Sequence, residues 1–268
     1  MNARFHGNPC WYELATRPGH LAAAQAFYAR VLGWTFHDTG LPAPGYHQAC
    51  SDGSAVAGLT QWGDDEAAPA WTTYFAVADI DAFVADARAA GAAVQLGPTV
   101  IPGTGRFARL ADPQGAPFGV LQPDRRATPG ADAAGAGHDA GGAFHPNAPG
   151  HVNWNELASA DPQAGFAFHA RVFGWTAAAA VDLGPMGTYQ LIACHGVDIG
   201  GVMGLCGLPA SRWLPYFGVR GSVADAVATV RAAGGQIHHD PMQVPGGAWV
   251  ASGQDPQGAW FAVTGTQP

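Results

Sequence analysis

The chain of 268 residues is written twice, and no other feature narrows its fold so far. CWYELA at 10–15 returns as NWNELA at 153–158, and FYARVLGW at 27–34 returns as FHARVFGW at 168–175. TTYFAV at 72–77 matches LPYFGV at 214–219, RAAGA at 88–92 matches RAAGG at 231–235, and ADPQGAPF at 111–118 matches QDPQGAWF at 254–261. The offset stays between 141 and 143 residues, so each half is one structural solution used again. Between the copies, RRATPGADAAGAGHDAGGAFHP is small, Gly/Ala-rich and aperiodic, which is linker chemistry.

Within a half, hydrophobic periods of two and of about 3.6 residues alternate. Trp11, Glu13 and Ala15 fall on one face of a strand, with Tyr12 and Leu14 on the other. A helix follows at about 20–32 with Ala24, Phe27, Tyr28 and Val31 on one stripe, and Gly33 supplies its stop. Strand patterns run through 34–62 and resume from Trp71 to Val77. A second helix carries Ile80, Phe83, Val84 and Ala87 and ends at Gly91, and its copy starts at Ser222 with Asp225 three residues on. Further strands end in PFGVLQ and its copy WFAVTG. Each half is therefore βαβββ written twice. A single such unit leaves a sheet face bare, and pairing units covers it.

The first strand, AQAFYARVLGW, the Val-Ala-Asp-Ile-Asp helix entry at 77–81 and ADPQGAPFGVLQP together resemble the vicinal oxygen chelate superfamily. That superfamily includes glyoxalase I, extradiol dioxygenases and bleomycin-resistance proteins. The resemblance covers nearly the whole chain except the linker. It implies an α+β tandem glyoxalase-like fold, with four βαβββ units paired into two half-barrel domains. The expected division is domain 1 at 1–125, a linker at 126–146 and domain 2 at 147–268.

Composition excludes several chemistries. The formal net charge is −8, and all 12 basic residues are Arg. Without Lys there is no amine for a P-loop, a Schiff base or a pyridoxal phosphate anchor. The acidic balance argues against nucleic-acid and anionic-membrane surfaces. The N-terminal MNARFHGNPCWYEL lacks the apolar core of a secretory signal, and no segment is continuously apolar enough to span a bilayer. Cys10, Cys50, Cys194 and Cys206 form no CxxC pair and read as reduced thiols. The expectation is a cytoplasmic protein, a monomer with two pseudo-symmetric halves or a homodimer.

The resemblance also implies metal positions, one divalent ion per cavity held by His, Gln and Glu. Counted along this chain, they fall on Trp11 and Trp154, Gly58 and Gly204, near Thr73 and Pro215, and on Gly119 and Ala262. Those residues supply no ligand set, so no metal and no other cofactor is expected. On the first-strand face remain Glu13 and Glu156, candidates for general base or polar anchor. Their alternative role is a buried structural carboxylate, bonded to backbone or paired to an Arg such as Arg109. The ligand-binding candidates are Trp11, Glu13, His47, Trp62, Trp154, Glu156, Tyr189, His195 and Met203.

His238 and His239 are adjacent, so strand alternation should send them to opposite faces, and a solvated loop suits them better. Cys50 and Cys194 read as small core residues ahead of nucleophiles. Trp34 and Trp175 should cap the core, while Trp62, Trp71, Trp213 and Trp249 could line a pocket mouth or a packing surface. Two functions follow. One is metal-free binding of a small, partly apolar molecule in aromatic-lined cavities, of the resistance or sequestration kind. The other is a metal-dependent glyoxalase- or dioxygenase-like enzyme drawing ligands from Glu13, His47, Glu156 and His195. The second half, with Asn153, Asn155, Glu156, Tyr189, His195 and Met203, has the stronger claim to a polar ligand.

Overall fold

Four βαβββ modules follow one another in a computed structural model that describes residues 5–40, 45–61, 68–124 and 142–268. Module one runs β1 (Pro9–Thr16), α1 (Leu21–Leu32), β2 (Thr35–Asp38), β3 (His47–Ser51) and β4 (Ser54–Gln61). Module two runs β5 (Ala70–Ala76), α2 (Ile80–Ala89), β6 (Ala93–Ile101), β7 (Gly105–Ala111) and β8 (Pro117–Pro123). Module three runs β9 (Val152–Ala158), α3 (Pro162–Phe173), β10 (Thr176–Asp182), β11 (Thr188–Cys194) and β12 (Val197–Met203). Module four runs β13 (Arg212–Gly218), α4 (Val223–Ala232), β14 (Gln236–Gln243), β15 (Trp249–Gln254) and β16 (Trp260–Gly265). The fold is α+β with the expected internal duplication. One eight-stranded sheet is ordered β2-β3-β4-β1-β5-β8-β7-β6, and the other repeats that order as β10-β11-β12-β9-β13-β16-β15-β14.

The helix ends follow from local chemistry. Helix α1 stops where Gly33 takes φ of 72° and returns its N–H to the Ala29 carbonyl, and Gly174 does the same for α3 at φ of 74°. Side-chain oxygens of Asp79, Asp161 and Ser222 accept first-turn N–H groups at the starts of α2, α3 and α4. The repeated Asp-Pro-Gln-Gly is a turn closed by its own carboxylate. Asp112 Oδ1 accepts from the N–H groups of Gln114 and Ala116, and Asp255 Oδ1 from those of Gln257 and Ala259.

Two compact units emerge, and each draws one module from each sequence half. One holds residues up to Cys10, module two from Thr73 onward and Asn155–Trp213. The other holds Trp11–Thr72, Gly142–Trp154 and Leu214–Pro268. We call them the 2/3 unit and the 1/4 unit. In the 1/4 unit, Tyr12, Leu14, Phe27, Tyr28 and Trp34 share a core with Phe217, Val227, Val230 and Phe261. In the 2/3 unit, the rings of Phe83 and Phe173 stack at 4.9 Å, and Phe75 sits 4.9 Å from Trp175.

Several expectations change. Trp71 and Trp213 are 4% and 3% exposed, so they are core residues inside β5 and β13 and line no pocket mouth. Trp249 is half-buried against the 1/4 core, and Trp34 and Trp175 are buried as expected. Most of the expected linker, and Trp62, lie outside the described residues. Its last residues are not free linker, because Ala143 is buried and Phe144 bridges Val152. Among the described residues, no helix is long and apolar enough to cross a membrane.

Candidate functional site

Strand β1 alternates as its sequence predicts. Tyr12 and Leu14 are fully buried, whereas Trp11, Glu13 and Ala15 share a half-exposed face. The parallel ladder with β4 sets Glu13 opposite Gly58, and β3 brings Gln48 opposite the same glycine. Direct partners share a face, so Trp11, Glu13, Gln48 and Gly58 line one surface of the 1/4 unit. Tyr46 lies across it. A methyl group added at Gly58 would overlap the Tyr46 hydroxyl, so the glycine is what admits the ring. Trp11 donates its Nε1–H to Tyr46 Oη at 2.8 Å. Burial pushes the Tyr46 phenol up, the negative Glu13 adds to this, and the Trp11 bond opposes it. The result is a protonated phenol, fixed by an indole, beside a carboxylate.

The 2/3 unit repeats the arrangement from module three. Glu156 is the ladder partner of Gly201, and the Tyr189 ring occupies the space a side chain at Gly201 would need. Glu156 is only 7% exposed, against a half-exposed Glu13. Met203 is buried and lies two residues beyond Gly201 on the same face. The Cys206 thiol is pushed up by burial and further by the negative Glu156. Gly204, where the sequence count places the hairpin position, lies past the end of β12; the structural counterpart of Gly58 is Gly201.

The other candidates disperse. His47 pairs with Leu59, itself the partner of Leu14, so it lies on the face opposite Glu13. His195 sits at the turn after β11 with φ of 52°, its Nε2 2.9 Å from the His6 carbonyl. Trp154 precedes Glu156 by two residues on β9. Asn153 donates to the carbonyls of His145 and Ala148, and Asn155 to that of Ile199, so both amides serve the backbone. Cys50 and Cys194 are buried, and burial raises both thiols, Cys194 to about 12; neither is a poised thiolate.

Two tyrosines escaped the sequence reading. Tyr74 is the ladder partner of Gly119 and fills the space beside it, and Tyr216 is the partner of Ala262. Their signal was the Tyr-Phe pair shared by TTYFAV and LPYFGV, visible only as a repeat. A second correction concerns His238 and His239. They lie on strand β14, not in a loop, and a register shift there invalidates the simple alternation argument.

Of the positions counted for the family metal, Gly58 and its counterpart Gly201 face Glu13 and Glu156 across the ladder, and Gly119 and Ala262 face Tyr74 and Tyr216. Glycine and alanine donate nothing, and tyrosine rings occupy the space beside three of the small residues. Among the described residues, no group of three or more His, Cys, Asp or Glu side chains could hold a metal ion. This donor set does not fit the family metal.

Comparison with known proteins follows the same lines. The family model of the Glyoxalase/Bleomycin resistance protein/Dioxygenase superfamily matches residues 13–120. The chain is 32% identical over 269 residues to the "Putative glyoxylase CFP32" of Mycobacterium tuberculosis (strain CDC 1551 / Oshkosh), covering 98% of this chain and 96% of that protein. It is 33% identical over 276 residues to the anthracycline biosynthesis protein DauV of Streptomyces sp. (strain C5), covering 96% and 92%. The Mn(II)-bound glyoxalase from Novosphingobium aromaticivorans superposes with a TM-score of 0.65 at 18% identity, over 98% of this chain and 83% of that one. Its likeness is one of fold. With a relative above 30% identity spanning nearly its whole length, a matching family model and two copies of the paired module, this chain belongs to the Glyoxalase/Bleomycin resistance protein/Dioxygenase superfamily.

Proposed function

We propose that the chain binds a small, flat, partly apolar molecule carrying oxygen substituents, without a metal at the family positions. In the 1/4 unit, Trp11 and Tyr46 supply the aromatic wall and Glu13 the polar anchor; in the 2/3 unit, Tyr189, Met203 and Glu156 take those parts. The proposal keeps 1–125 and 147–268 as the two domains of the duplicated chain. The observation that carries it is the Trp11–Tyr46 hydrogen bond, which fixes a phenol over Gly58 on the face of Glu13. A flat ring can lie against such a wall while its oxygens meet a phenol and a carboxylate. The relative named for anthracycline biosynthesis supports this reading, since anthracyclines are flat, polycyclic and oxygenated.

The test is titration with 1,8-dihydroxyanthraquinone, followed by quenching of tryptophan fluorescence. Saturable quenching that weakens in Trp11→Phe and Tyr46→Phe is expected. Absence of saturable binding would overturn the proposal. So would Mn(II)-dependent turnover of the methylglyoxal–glutathione hemithioacetal that is lost in Glu13→Gln, because that outcome makes the chain a metal-dependent glyoxalase.

A further inference from the structure

Strand β14 holds two histidines that strand alternation would separate. The ladder with β15 pairs Gln236 with Gln254 and Ile237 with Gly253, then skips a residue and pairs His239 with Ser252. The skipped residue is His238. Two residues opposing one is a β-bulge, and it brings consecutive side chains to the same side of a sheet. The hydrogen bonds agree. His238 Nε2 lies 2.9 Å from Gln254 Oε1, and His239 Nδ1 lies 2.7 Å from Ser252 Oγ. Ser252 and Gln254 are alternate residues of β15 and so share a face.

Both imidazoles are oriented by these neighbours. Gln254 donates its amide N–H to the Gly258 carbonyl at 2.9 Å, which fixes the amide oxygen toward His238. An amide oxygen only accepts, so His238 carries its proton on Nε2 and its lone pair on Nδ1. The ring is also held against Trp260, with centroids 4.5 Å apart. The His239 tautomer that donates from Nδ1 to the serine hydroxyl presents the Nε2 lone pair. A ring nitrogen tied to a neutral partner while the other is left with its lone pair is how metal-binding histidines are normally oriented. Asp240, next along the strand, is engaged by Arg231 at 2.7 Å.

We infer that His238 and His239 form a metal site outside the family positions, one that takes a borderline divalent ion such as Zn(II) or Ni(II). Two neutral imidazoles select such ions over oxygen-preferring Mn(II) and Mg(II), and water or an exogenous ligand completes the coordination. The first half contains an internal control. Strand β6 has the same register shift between Val94 and Leu96, but its bulge carries Gln95 and Leu96, which offer no imidazole.

The experiment is calorimetric titration of the full, untagged, chelator-stripped chain with Zn(II) chloride, repeated with Mn(II). Wild type should bind one ion saturably, and His238→Ala and His239→Ala should each abolish that binding. Gln254→Leu should weaken it by roughly 10–100-fold, as loss of an orienting partner does. Glu13→Gln and Glu156→Gln should leave it unchanged, which separates this site from the ligand surface proposed above. Both histidines are exposed, so these variants should keep the wild-type circular dichroism. Absence of saturable Zn(II) binding would overturn the assignment, as would binding that survives in the double histidine variant or Mn(II) bound as tightly as Zn(II).

Discussion

The 1/4 and 2/3 units build the same buried position with different chemistry. In the 1/4 unit, Trp71 donates its Nε1–H to Tyr28 Oη at 2.9 Å, and Tyr28 donates to Asp255 Oδ2 at 3.1 Å. In the 2/3 unit the equivalent residues are Trp213, His169 and Asp112. His169 Nε2 lies 3.3 Å from Asp112 Oδ2, but His169 Nδ1 and Trp213 Nε1 are buried without a hydrogen-bond partner among the described residues. The two rings still meet edge to face at 5.2 Å. A phenol hydroxyl accepts and donates at a single atom and so links indole to carboxylate. An imidazole has its two nitrogens on different edges and serves only one neighbour here. Duplication has therefore conserved the shape of the core and left one copy with incomplete polar pairing.

The largest effect should come from Tyr28→Phe. It leaves the Trp71 N–H and the Asp255 carboxylate without their buried partner and should cost about 2–4 kcal/mol in urea unfolding. A loss within experimental error of zero would mean that the relay does not distinguish the units.

Acid sensitivity comes next. Burial lowers the pKa of His169, and the hydrogen bond and charge of Asp112 only partly oppose it. Because the folded value lies below the unfolded one, the stability contribution is complete above the unfolded value of about 6.5. It is lost as pH falls from there toward the folded value. His6 and His151 are shifted the same way, chiefly by burial, and contribute to the wild-type slope. His169→Gln, which keeps a donor for Asp112, should flatten the decline in unfolding free energy below neutral pH. An unchanged slope would break the comparison.

The ligand surfaces sharpen it further. Glu156 is the more buried of the two carboxylates, so Glu156→Gln should weaken a polar ligand by about 1–3 kcal/mol, more than Glu13→Gln. Equal losses in a binding titration would remove the case for a specialised second half. The smallest effect is a difference between two tryptophans. Trp71→Phe and Trp213→Phe remove similar volume, but only the first removes a hydrogen bond. It should cost about 1 kcal/mol more by urea unfolding, and equal costs would contradict the pairing described above.

Much of the fold was legible because its signals are local. Gly33 stops a helix, Ser222 starts one, and the Trp11-Glu13-Ala15 alternation states which side chains share a strand face. Glu13 and Glu156 were legible for the same reason. The surroundings of those carboxylates were not. No local rule says that Tyr46 or Tyr189 swings over a glycine on the next strand, because ladder register depends on the whole sheet.

By itself, then, the amino-acid sequence determined four βαβββ modules, their order, their duplication and the two strand faces that carry the carboxylates. Tertiary structure alone decided which modules share a core. Helical periodicity marks an apolar face but not its partner, and the matching faces of Phe27 and Phe168 carry the same marks. The pairing of module one with four and two with three is a matter of packing, as is the burial of Trp71 and Trp213. The bulge at His238 was hidden for a related reason: one extra residue in a ladder is invisible until its partner strand is in place, and it reverses the facing of the side chain it carries.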